Sequence, residues 1–189
     1  MAKFKNFLLI KEDVATITDF AEMFGSIKHK GQTRKFSGEP YFTHPQRVAG
    51  IVKKFKKSHR LDHLISAALL HDTIEDSNTT EEDLIKLFGG LVASLVKELT
   101  SDKEEIEKVG KSNYISRKTL QMSDWALVIK LADRLDNVSD LKTSSPQFKE
   151  KTIKSTKKII HDLESFRKLT GTQKKIIAAI KEKIKEAEA

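Results

Sequence analysis

Cysteine is absent from this chain of 189 residues, and proline occurs only three times. The lack of cysteine excludes disulfide bonds, cysteine-ligated zinc and a thiolate nucleophile, so any metal must be held by histidine and carboxylate side chains. It also fits a reducing compartment such as the cytosol. Aromatic residues make up only 7% of the chain, and they do not alternate with its lysine clusters as a stacking surface for nucleic acid requires.

Long apolar runs are missing as well. The N-terminal segment MAKFKNFLLIKED contains only FLLI, which is too short for the apolar core of a secretory signal, and no window approaches a membrane span. We therefore expect a cytoplasmic protein with no membrane partner. No tract rich in glycine, proline or serine interrupts the sequence, and residues 1–189 have the length of one domain with a single core.

Acidic residues are outnumbered, since 35 lysines and arginines stand against 27 aspartates and glutamates, for a formal net charge of +8. The excess makes an anionic partner plausible, and nucleic acid, a phosphorylated metabolite and an acidic surface would all fit. Much of it lies in KKFKK at 53–57 and in the last third of the chain, where lysines are typical of a solvated helix face. Charge alone does not choose among these partners.

Apolar residues recur almost everywhere with the spacing of an α-helix, and no run alternates with the period of a strand. Three stripes open the chain: Val14, Ile17, Phe20, Ala21, Phe24 and Ile27; Val48, Ile51, Val52 and Phe55; and Leu61, Leu64, Ile65, Ala68 and Leu69. Thr79 or Thr80 can cap a short helix through EEDLIKLF that Gly89 and Gly90 close, and residues 91–99 continue the apolar pattern.

The second half of the sequence is also predicted to be helical. Residues 100–112 are expected to form an exposed polar connection, and a helix around 112–121 follows. Asp124 is predicted to cap the strongest later helix, WALVIKLADRLDNVSDL. Two basic amphipathic helices over about 147–169 and 173–188 are expected to pack on the core. The whole pattern predicts an all-α fold of about 8–10 helices.

Four titratable residues interrupt this apolar pattern in LLHDTIEDSNTT, residues 69–80. If the segment stays helical, with a turn of about 100° per residue, His71 stacks with Glu75 and Asp72 stacks with Asp76 on one face. His71 and Asp72 could then both reach one ion. Glu75 and Asp76, one turn later, could face a water molecule or a substrate.

Two ligands rarely hold a catalytic ion, so further ligands must come from elsewhere. His44 opens a helix directly after the irregular loop GQTRKFSGEPYFTHP, and Asp133 lies among apolar residues, where a buried carboxylate would be costly without a cation. With His71 and Asp72 they form a set of two imidazoles and two carboxylates, which suits Mn²⁺, Fe²⁺ or a similar ion. Asn137 shares the helix face of Asp133 and could supply a polar contact beside it.

Each of these features alone has an ordinary structural explanation. A His-Asp pair is common by chance, and a second one, His161-Asp162, lies on a lysine-rich helix, where we interpret it as surface. An acidic pair after an apolar helix usually marks a helix end in solvent, and His44 before Pro45 could serve as a helix cap. Only the combination indicates a site.

In combination, the loop GQTRKFSGEPYFTHP, the core LLHDTIED and the later VIKLADRLDN resemble the three signature segments of the metal-dependent HD-domain hydrolases of the RelA/SpoT type. The resemblance spans about residues 20–141, and the short chain is similar to the small stand-alone alarmone hydrolases, including the metazoan SpoT-homologue type. It implies a single HD-domain helical bundle over residues 1–189. The implied reaction is hydrolysis of (p)ppGpp to GDP or GTP and pyrophosphate.

The resemblance also implies roles for individual residues. The expected metal ligands, with Mn²⁺ as the ion, are His44, His71, Asp72 and Asp133; the expected catalytic acids are Glu75 and Asp76; and the expected substrate-binding residues are Arg34, Lys35 and Asn137. In such a site the ion lowers the pKa of a water molecule, and a nearby carboxylate orients or deprotonates it. The forked guanidinium of arginine suits phosphate oxygens.

Three positions depart from the family pattern. Phe36 adds one residue between Arg34-Lys35 and SGEPY, so either basic residue could take the substrate-binding role. Asp136 stands in place of a histidine, and Ser139 stands in place of a frequent arginine. None of these positions is an expected metal ligand or catalytic acid. The departures therefore affect which nucleotide is bound, and they leave the expected hydrolytic reaction unchanged. The alternatives are a phosphatase acting on NADPH or another phosphorylated nucleotide, and a non-enzymatic protein that binds nucleotides or nucleic acid. The oligomeric state is not determined by the sequence.

Overall fold

The computed structural model describes Phe7 and residues 14–189. Helices dominate this part of the chain, and the one pairing of extended residues found in it is a bridge between Thr33 and Pro40. The all-α prediction is therefore confirmed. The interpretation of MAKFKNFLLIKED falls, apart from Phe7, on residues outside the described part. None of the described helices combines the length and apolar character that crossing a bilayer requires.

The described residues group into two compact units. The first contains residues up to Arg34 together with Glu39–Thr100, and the second contains Lys35–Gly38 together with Ser101–Ala189. Helices of the first unit are α1 (Ile17–Lys28), α2 (Thr43–Phe55), α3 (Leu61–Leu70), α4 (Thr73–Asp76), α5 (Glu81–Phe88) and α6 (Gly90–Leu99). Those of the second are α7 (Lys103–Val109), α8 (Lys111–Gln121), α9 (Asp124–Ser139), α10 (Pro146–Phe166) and α11 (Gly171–Glu188). The expectation of one domain over residues 1–189 stays a prediction.

Helix α3 forms the centre of the first unit. Every residue from Leu64 to Leu70 is buried, because α1, α2 and α6 all pack against this helix. A helix that is apolar on all sides is stable only inside a core. The hydroxyl group of Ser66, which is buried with it, donates a hydrogen bond to the carbonyl of Asp62 at 2.8 Å. Packing on three sides therefore fixes where the end of α3 lies.

The helix boundaries in the first unit follow the sequence pattern closely. The three predicted stripes lie largely on α1, α2 and α3, although Ile27, in the last turn of α1, is 47% exposed. Thr80 caps α5 through a capping box: its side chain accepts from the amide of Asp83, and its own amide donates to the Asp83 carboxylate. Gly89, with φ of +83°, ends α5 as predicted.

The second unit is built around α9, which packs against α10 and α11, while α8 packs against α10. The predicted polar connection before α8 is wrong, because α7 forms there. This helix contains no buried residue, so no apolar stripe marks it, and Asp102 caps it by accepting from the amide of Glu105 at 3.0 Å. The predicted cap of α9 is also wrong: Ser123, rather than Asp124, accepts from the amide of Ala126. The last two helices are close to their predicted ranges.

Candidate metal and acid site

The end of α3 delivers His71 and Asp72. The predicted continuous helix is wrong here, because α3 ends at Leu70 and α4 begins only at Thr73. The hydroxyl group of Thr73 donates to the carbonyl of Leu70 at 2.7 Å across the junction. The amide of Asp76 still donates to the carbonyl of Asp72 at 2.9 Å. The acid pair thus remains one turn beyond the ligand pair, on a separate short helix.

His71 is held by its own backbone in one orientation. Its ring is 3% exposed, and its Nδ1 lies 2.8 Å from the carbonyl oxygen of Ala68. A carbonyl oxygen only accepts, so Nδ1 must carry a proton and the neutral ring presents the Nε2 lone pair on its other side. That Nε2 lies 3.1 Å from Oδ2 of Asp72. Two electron-pair donors therefore face each other, which is the arrangement that a cation stabilises.

His44 lies at the start of α2 and contributes a second buried imidazole. Its Nε2 is 3.9 Å from Oδ2 of Asp72, and its ring centroid is 5.2 Å from that of His71. Donor atoms that share one ion at bond lengths near 2.1 Å lie about 3.0–3.4 Å apart. The separation of Asp72 from His71 falls in this range, and that from His44 lies slightly beyond it. Imidazole nitrogens and a carboxylate oxygen are donor types that suit a divalent metal.

Tyr41 orients Asp72, and sequence reasoning did not single it out. Its hydroxyl group donates a hydrogen bond to Oδ2 of Asp72 at 2.6 Å. Hydrogen bonds of this kind fix the direction in which a ligating carboxylate points. The available signal was the aromatic residue in GEPYFTHP, only three positions before His44.

The acid pair occupies α4. Glu75 is half-buried and Asp76 lies at the exposed edge. The pKa of Asp76 is raised, chiefly because its carboxyl group is partly buried, and further because the negative charges of Asp72 and Glu75 are close; a hydrogen bond from Tyr41 and the nearby His29 oppose the shift. A raised pKa makes a carboxylate a better proton acceptor once it is ionised. Asp76 is therefore suited to take a proton from water.

Asp133 lies on α9 and is buried in the second unit. Its Oδ2 is 2.8 Å from Nζ of Lys130, and its Oδ1 accepts from the amide group of Asn137 at 2.5 Å. Asn137 is therefore beside Asp133, as the helical spacing predicts. Sequence reasoning missed Lys130, although a lysine three residues before an aspartate on one helix is a recognisable pairing signal. Among the described residues, His44, His71 and Asp133 are buried side chains that could each supply one donor atom to a metal ion.

The two basic residues of the loop have different surroundings. Arg34 belongs to the first unit, where its amide donates to the carbonyl of Glu39 at 2.8 Å. Lys35 belongs to the second unit and is exposed, with its Nζ 5.4 Å from the ring centroid of Phe36. The additional residue Phe36 packs against Phe148 of α10, with 4.8 Å between ring centroids. The added residue thus has a packing role within the second unit.

The second His-Asp pair is partly structural. The carboxylate of Asp162 accepts from the hydroxyl group of Ser116 on α8 and from Nζ of Lys158 one turn earlier on α10. These hydrogen bonds lower the pKa of Asp162. The interpretation of this pair as plain surface is therefore incomplete for Asp162, because its side chain joins two helices.

An all-helical fold with buried imidazole and carboxylate donors is typical of the class of helical metal-dependent hydrolases. The chain belongs to the HD-domain family, whose model matches residues 21–168.

Relatives within this family support the predicted resemblance. The chain is 39% identical over 145 residues to the guanosine-3′,5′-bis(diphosphate) 3′-pyrophosphohydrolase MESH1 of Xenopus tropicalis, covering 73% of this chain and 76% of that protein. It is 35% identical over 147 residues to the bifunctional (p)ppGpp synthase/hydrolase SpoT of Escherichia coli K12, covering 71% of this chain but only 19% of SpoT.

A solved structure described as a metazoan orthologue of SpoT that hydrolyses ppGpp matches with a TM-score of 0.77. The sequence identity is 28%, and the match covers 92% of this chain and 96% of that one. The resemblance to the RelA/SpoT type of HD-domain hydrolase is confirmed.

Proposed function

We propose that this protein is a metal-dependent guanosine-3′,5′-bis(diphosphate) 3′-pyrophosphohydrolase, which converts (p)ppGpp to GDP or GTP and pyrophosphate. The observation that carries the proposal is the cluster around Asp72, whose Oδ2 lies 3.1 Å from Nε2 of His71 and 3.9 Å from Nε2 of His44. Glu75 and Asp76 follow one turn later. The names of the relatives at 39% and 38% identity give the same reaction.

His44, His71, Asp72 and Asp133 are the residues that we assign to the metal, and Mn²⁺ is the ion that we expect. The mixture of imidazole and carboxylate donors supports this choice over Mg²⁺, which prefers oxygen ligands alone. A bound divalent ion lowers the pKa of water and offsets the negative charge of a phosphate group. Lys130 and Asn137 hold the two oxygens of Asp133 on α9, so the direction of its carboxylate is fixed.

Glu75 and Asp76 handle the attacking water in this proposal. The oxygen of the water adds to the phosphorus bound to the ribose 3′ oxygen, a carboxylate takes the proton, and the bond from phosphorus to the 3′ oxygen breaks. Pyrophosphate leaves and the 3′ oxygen regains a proton. The position of Asp76, whose amide donates to the carbonyl of Asp72, supports its role as the proton acceptor beside the metal ligands.

Arg34, Lys35 and Asn137 are the proposed contacts to the nucleotide. The guanidinium of Arg34 can bind phosphate oxygens through two parallel hydrogen bonds, whereas the ammonium of Lys35 acts as a point charge. The net charge of +8 is compatible with an anionic substrate. A cytoplasmic location, expected from the lack of an apolar signal or membrane-spanning run in the sequence, is part of the same proposal.

The direct test is chromatography of the products formed from ppGpp by the purified, Mn²⁺-loaded protein. We expect GDP and pyrophosphate in equal amounts, and neither product from Asp72→Asn protein. Release of single phosphate from NADPH, with ppGpp unchanged, would support the phosphatase alternative and contradict the proposal. Tight, salt-sensitive binding of RNA or DNA without any hydrolysis would support the non-enzymatic alternative.

A further inference from the structure

A second hydrogen-bonded group lies beside the acid pair in the first unit. His29 follows α1 directly and is 2% exposed, and Gln32 lies three residues later. Gly31, between them, has a φ of +86°, which is strained for any residue with a side chain. The turn brings the amide of Gln32 to 3.0 Å from the carbonyl of His29. None of these residues has a role in the reaction proposed above.

The side chain of Gln32 joins His29 to α4. Its Nε2 donates to the backbone carbonyl of Asp76 at 2.7 Å, and its Oε1 lies 2.7 Å from Nδ1 of His29. The reversed amide would place Oε1 against the carbonyl oxygen of Asp76, so that two acceptors would face each other. The amide orientation therefore requires that His29 donate from Nδ1. The two side chains form a single chain of hydrogen bonds that ends on the backbone of Asp76.

The backbone of Gln32 makes a second connection within the same unit. Its carbonyl accepts from the amide of Tyr41 at 2.9 Å, and the ring of His29 lies 5.0 Å, centroid to centroid, from that of Tyr41. The hydroxyl group of Tyr41 in turn donates to Asp72. Gln32 therefore contacts both the segment that orients Asp72 and the segment that carries the acid pair.

Stability alone does not account for an imidazole at position 29. Its Nε2 is buried and has no hydrogen-bond partner in the described part of the chain. A buried polar atom without a partner costs about 1–3 kcal/mol, whereas a leucine of similar size would carry no such cost. The hydrogen bond made by Nδ1 and the ring contacts with Tyr41 and Phe42 offset this cost, and of these the hydrogen bond is the contribution that leucine could not make.

Helix α4 needs a connection of this kind. It has four residues, and a helix of one turn does not persist by its own hydrogen bonds. Its last residue, Asp76, is held at its amide by Asp72 and at its carbonyl by Gln32. Without the second bond, the end of α4 would lose its hydrogen-bonded connection to the turn that follows α1.

We propose that His29 and Gln32 are positioning residues, which hold the backbone of Asp76 and thereby keep the acid pair aligned with Asp72. The inference rests on the proposed function, because alignment matters only if Glu75 and Asp76 act on water. A displacement of about 1 Å at a reacting group can lower the rate by about 100-fold. Loss of the connection should therefore lower kcat more than it changes KM.

Gln32→Met is the primary variant, because it keeps the length of the side chain and removes only the polar atoms. Its matched control is Gln173→Met. Gln173 is fully buried in the second unit, donates from Nε2 to the carbonyl of Asp124 at 3.1 Å and accepts from the amide of Thr170. Both variants lose the same kind of hydrogen bond, but only Gln32 contacts the acid pair.

We expect Gln32→Met to lower kcat for ppGpp by about 10- to 100-fold, with KM changed by less than about threefold. Gln173→Met should lower Tm and leave kcat unchanged. His29→Leu should act like Gln32→Met, whereas His29→Asn, whose amide can replace the Nδ1 donor, should recover most of the activity. A kcat of Gln32→Met within twofold of the wild type would overturn the inference.

Amide hydrogen exchange provides a readout that does not depend on turnover. Exchange at the Asp76 amide should be faster in Gln32→Met than in the wild type, and unchanged in Gln173→Met, if Gln32 holds the end of α4. An inactive wild-type protein that still shows this difference would overturn the proposed function and support the positioning role. Equal exchange at Asp76 in all three proteins would overturn the positioning role.

Discussion

Two aspartates, one in each unit, have opposite electrostatic surroundings. Asp162 on α10 accepts from Ser116 and Lys158, and these hydrogen bonds lower its pKa. Asp76 on α4 is partly buried next to the negative charges of Asp72 and Glu75, and its pKa is raised. The folded state therefore favours the charge on Asp162 and opposes the charge on Asp76. A fold that keeps an unfavourable charge does so at a cost, and such charges concentrate where chemistry is carried out.

Asp72 and Asp133 extend the comparison. Both are predicted ligands, but Asp72 faces two imidazole nitrogens and the Tyr41 hydroxyl group, whereas Asp133 is next to the ammonium group of Lys130. The carboxylate of Asp72 therefore lies among other lone pairs, whereas the carboxylate of Asp133 is paired with an opposite charge. The following predictions test this difference, beginning with the largest expected effect.

Asp76→Asn should lower kcat for ppGpp by about 10²- to 10⁴-fold, because removal of a general base has effects of this size. In the metal-free protein at neutral pH its Tm should be equal to or above that of the wild type, since the raised pKa means that the charge on Asp76 opposes folding there. Pyrophosphate release and thermal unfolding measure the two effects. Asp162→Asn is the control, and we expect it to retain kcat and to lower Tm. If Asp76→Asn lowered Tm without a loss of kcat, and Asp162→Asn lowered kcat without a loss of Tm, the contrast between the two aspartates would be wrong.

Lys130→Met should destabilise the metal-free protein by about 3 kcal/mol, because it leaves the carboxylate of Asp133 buried without its cation. Added Mn²⁺ should restore part of the lost Tm. Lys158→Met is the matched control on a more exposed pair, where we expect a loss of about 1 kcal/mol or less and no dependence on Mn²⁺. Equal losses in the two variants, both insensitive to Mn²⁺, would show that Asp133 does not bind the ion.

Tyr41→Phe should weaken Mn²⁺ binding by about 10- to 100-fold, which is the usual effect of removing a hydrogen bond that orients a ligand. Calorimetric titration of the metal-free protein with Mn²⁺ measures this change. Tyr114→Phe is the control, since the hydroxyl group of Tyr114 accepts from the amide of Asp102 in the second unit. If both variants bound Mn²⁺ like the wild type, the role assigned to Tyr41 would be wrong.

The smallest expected effect concerns the acid stability of the second unit. A lowered pKa in the folded state gives a contribution to stability that is present above the unfolded pKa of about 3.9 and is lost as the pH falls through the lower folded value. The difference in Tm between the wild type and Asp162→Asn should therefore be constant above about pH 5 and shrink below about pH 4. A difference that grows on acidification would mean that the pKa of Asp162 is not lowered.

Features that depend on local spacing could be predicted from the sequence. The stripes of α1, α2 and α3 follow from helical periodicity, because burial on one face demands it. The cap at Thr80, one of the two that the sequence offers, follows from the capping preference of threonine. The separation of the ligand pair from the acid pair by one turn along LLHDTIED could also be predicted, because it depends only on local spacing.

Features that depend on a competing or distant partner could not be predicted. The helix ends at Leu70 and resumes at Thr73, although the apolar periodicity continues through this segment. Helix α7 contains no buried residue, so its sequence has no apolar stripe that would distinguish it from a polar connection. The contact of Gln32 with Asp76 joins residues 44 positions apart and depends on the positive φ of Gly31. Such contacts appear only when the chain is folded.

The most direct test of the proposed function is the initial rate of pyrophosphate release from ppGpp by Mn²⁺-loaded wild-type protein, measured beside phosphate release from NADPH and repeated with Glu75→Gln and Asp76→Asn. The account predicts rapid release from ppGpp, a much slower reaction with NADPH, and loss of at least about 100-fold in both variants. Release of pyrophosphate that is unchanged in both variants, or a clear preference for NADPH, would contradict it.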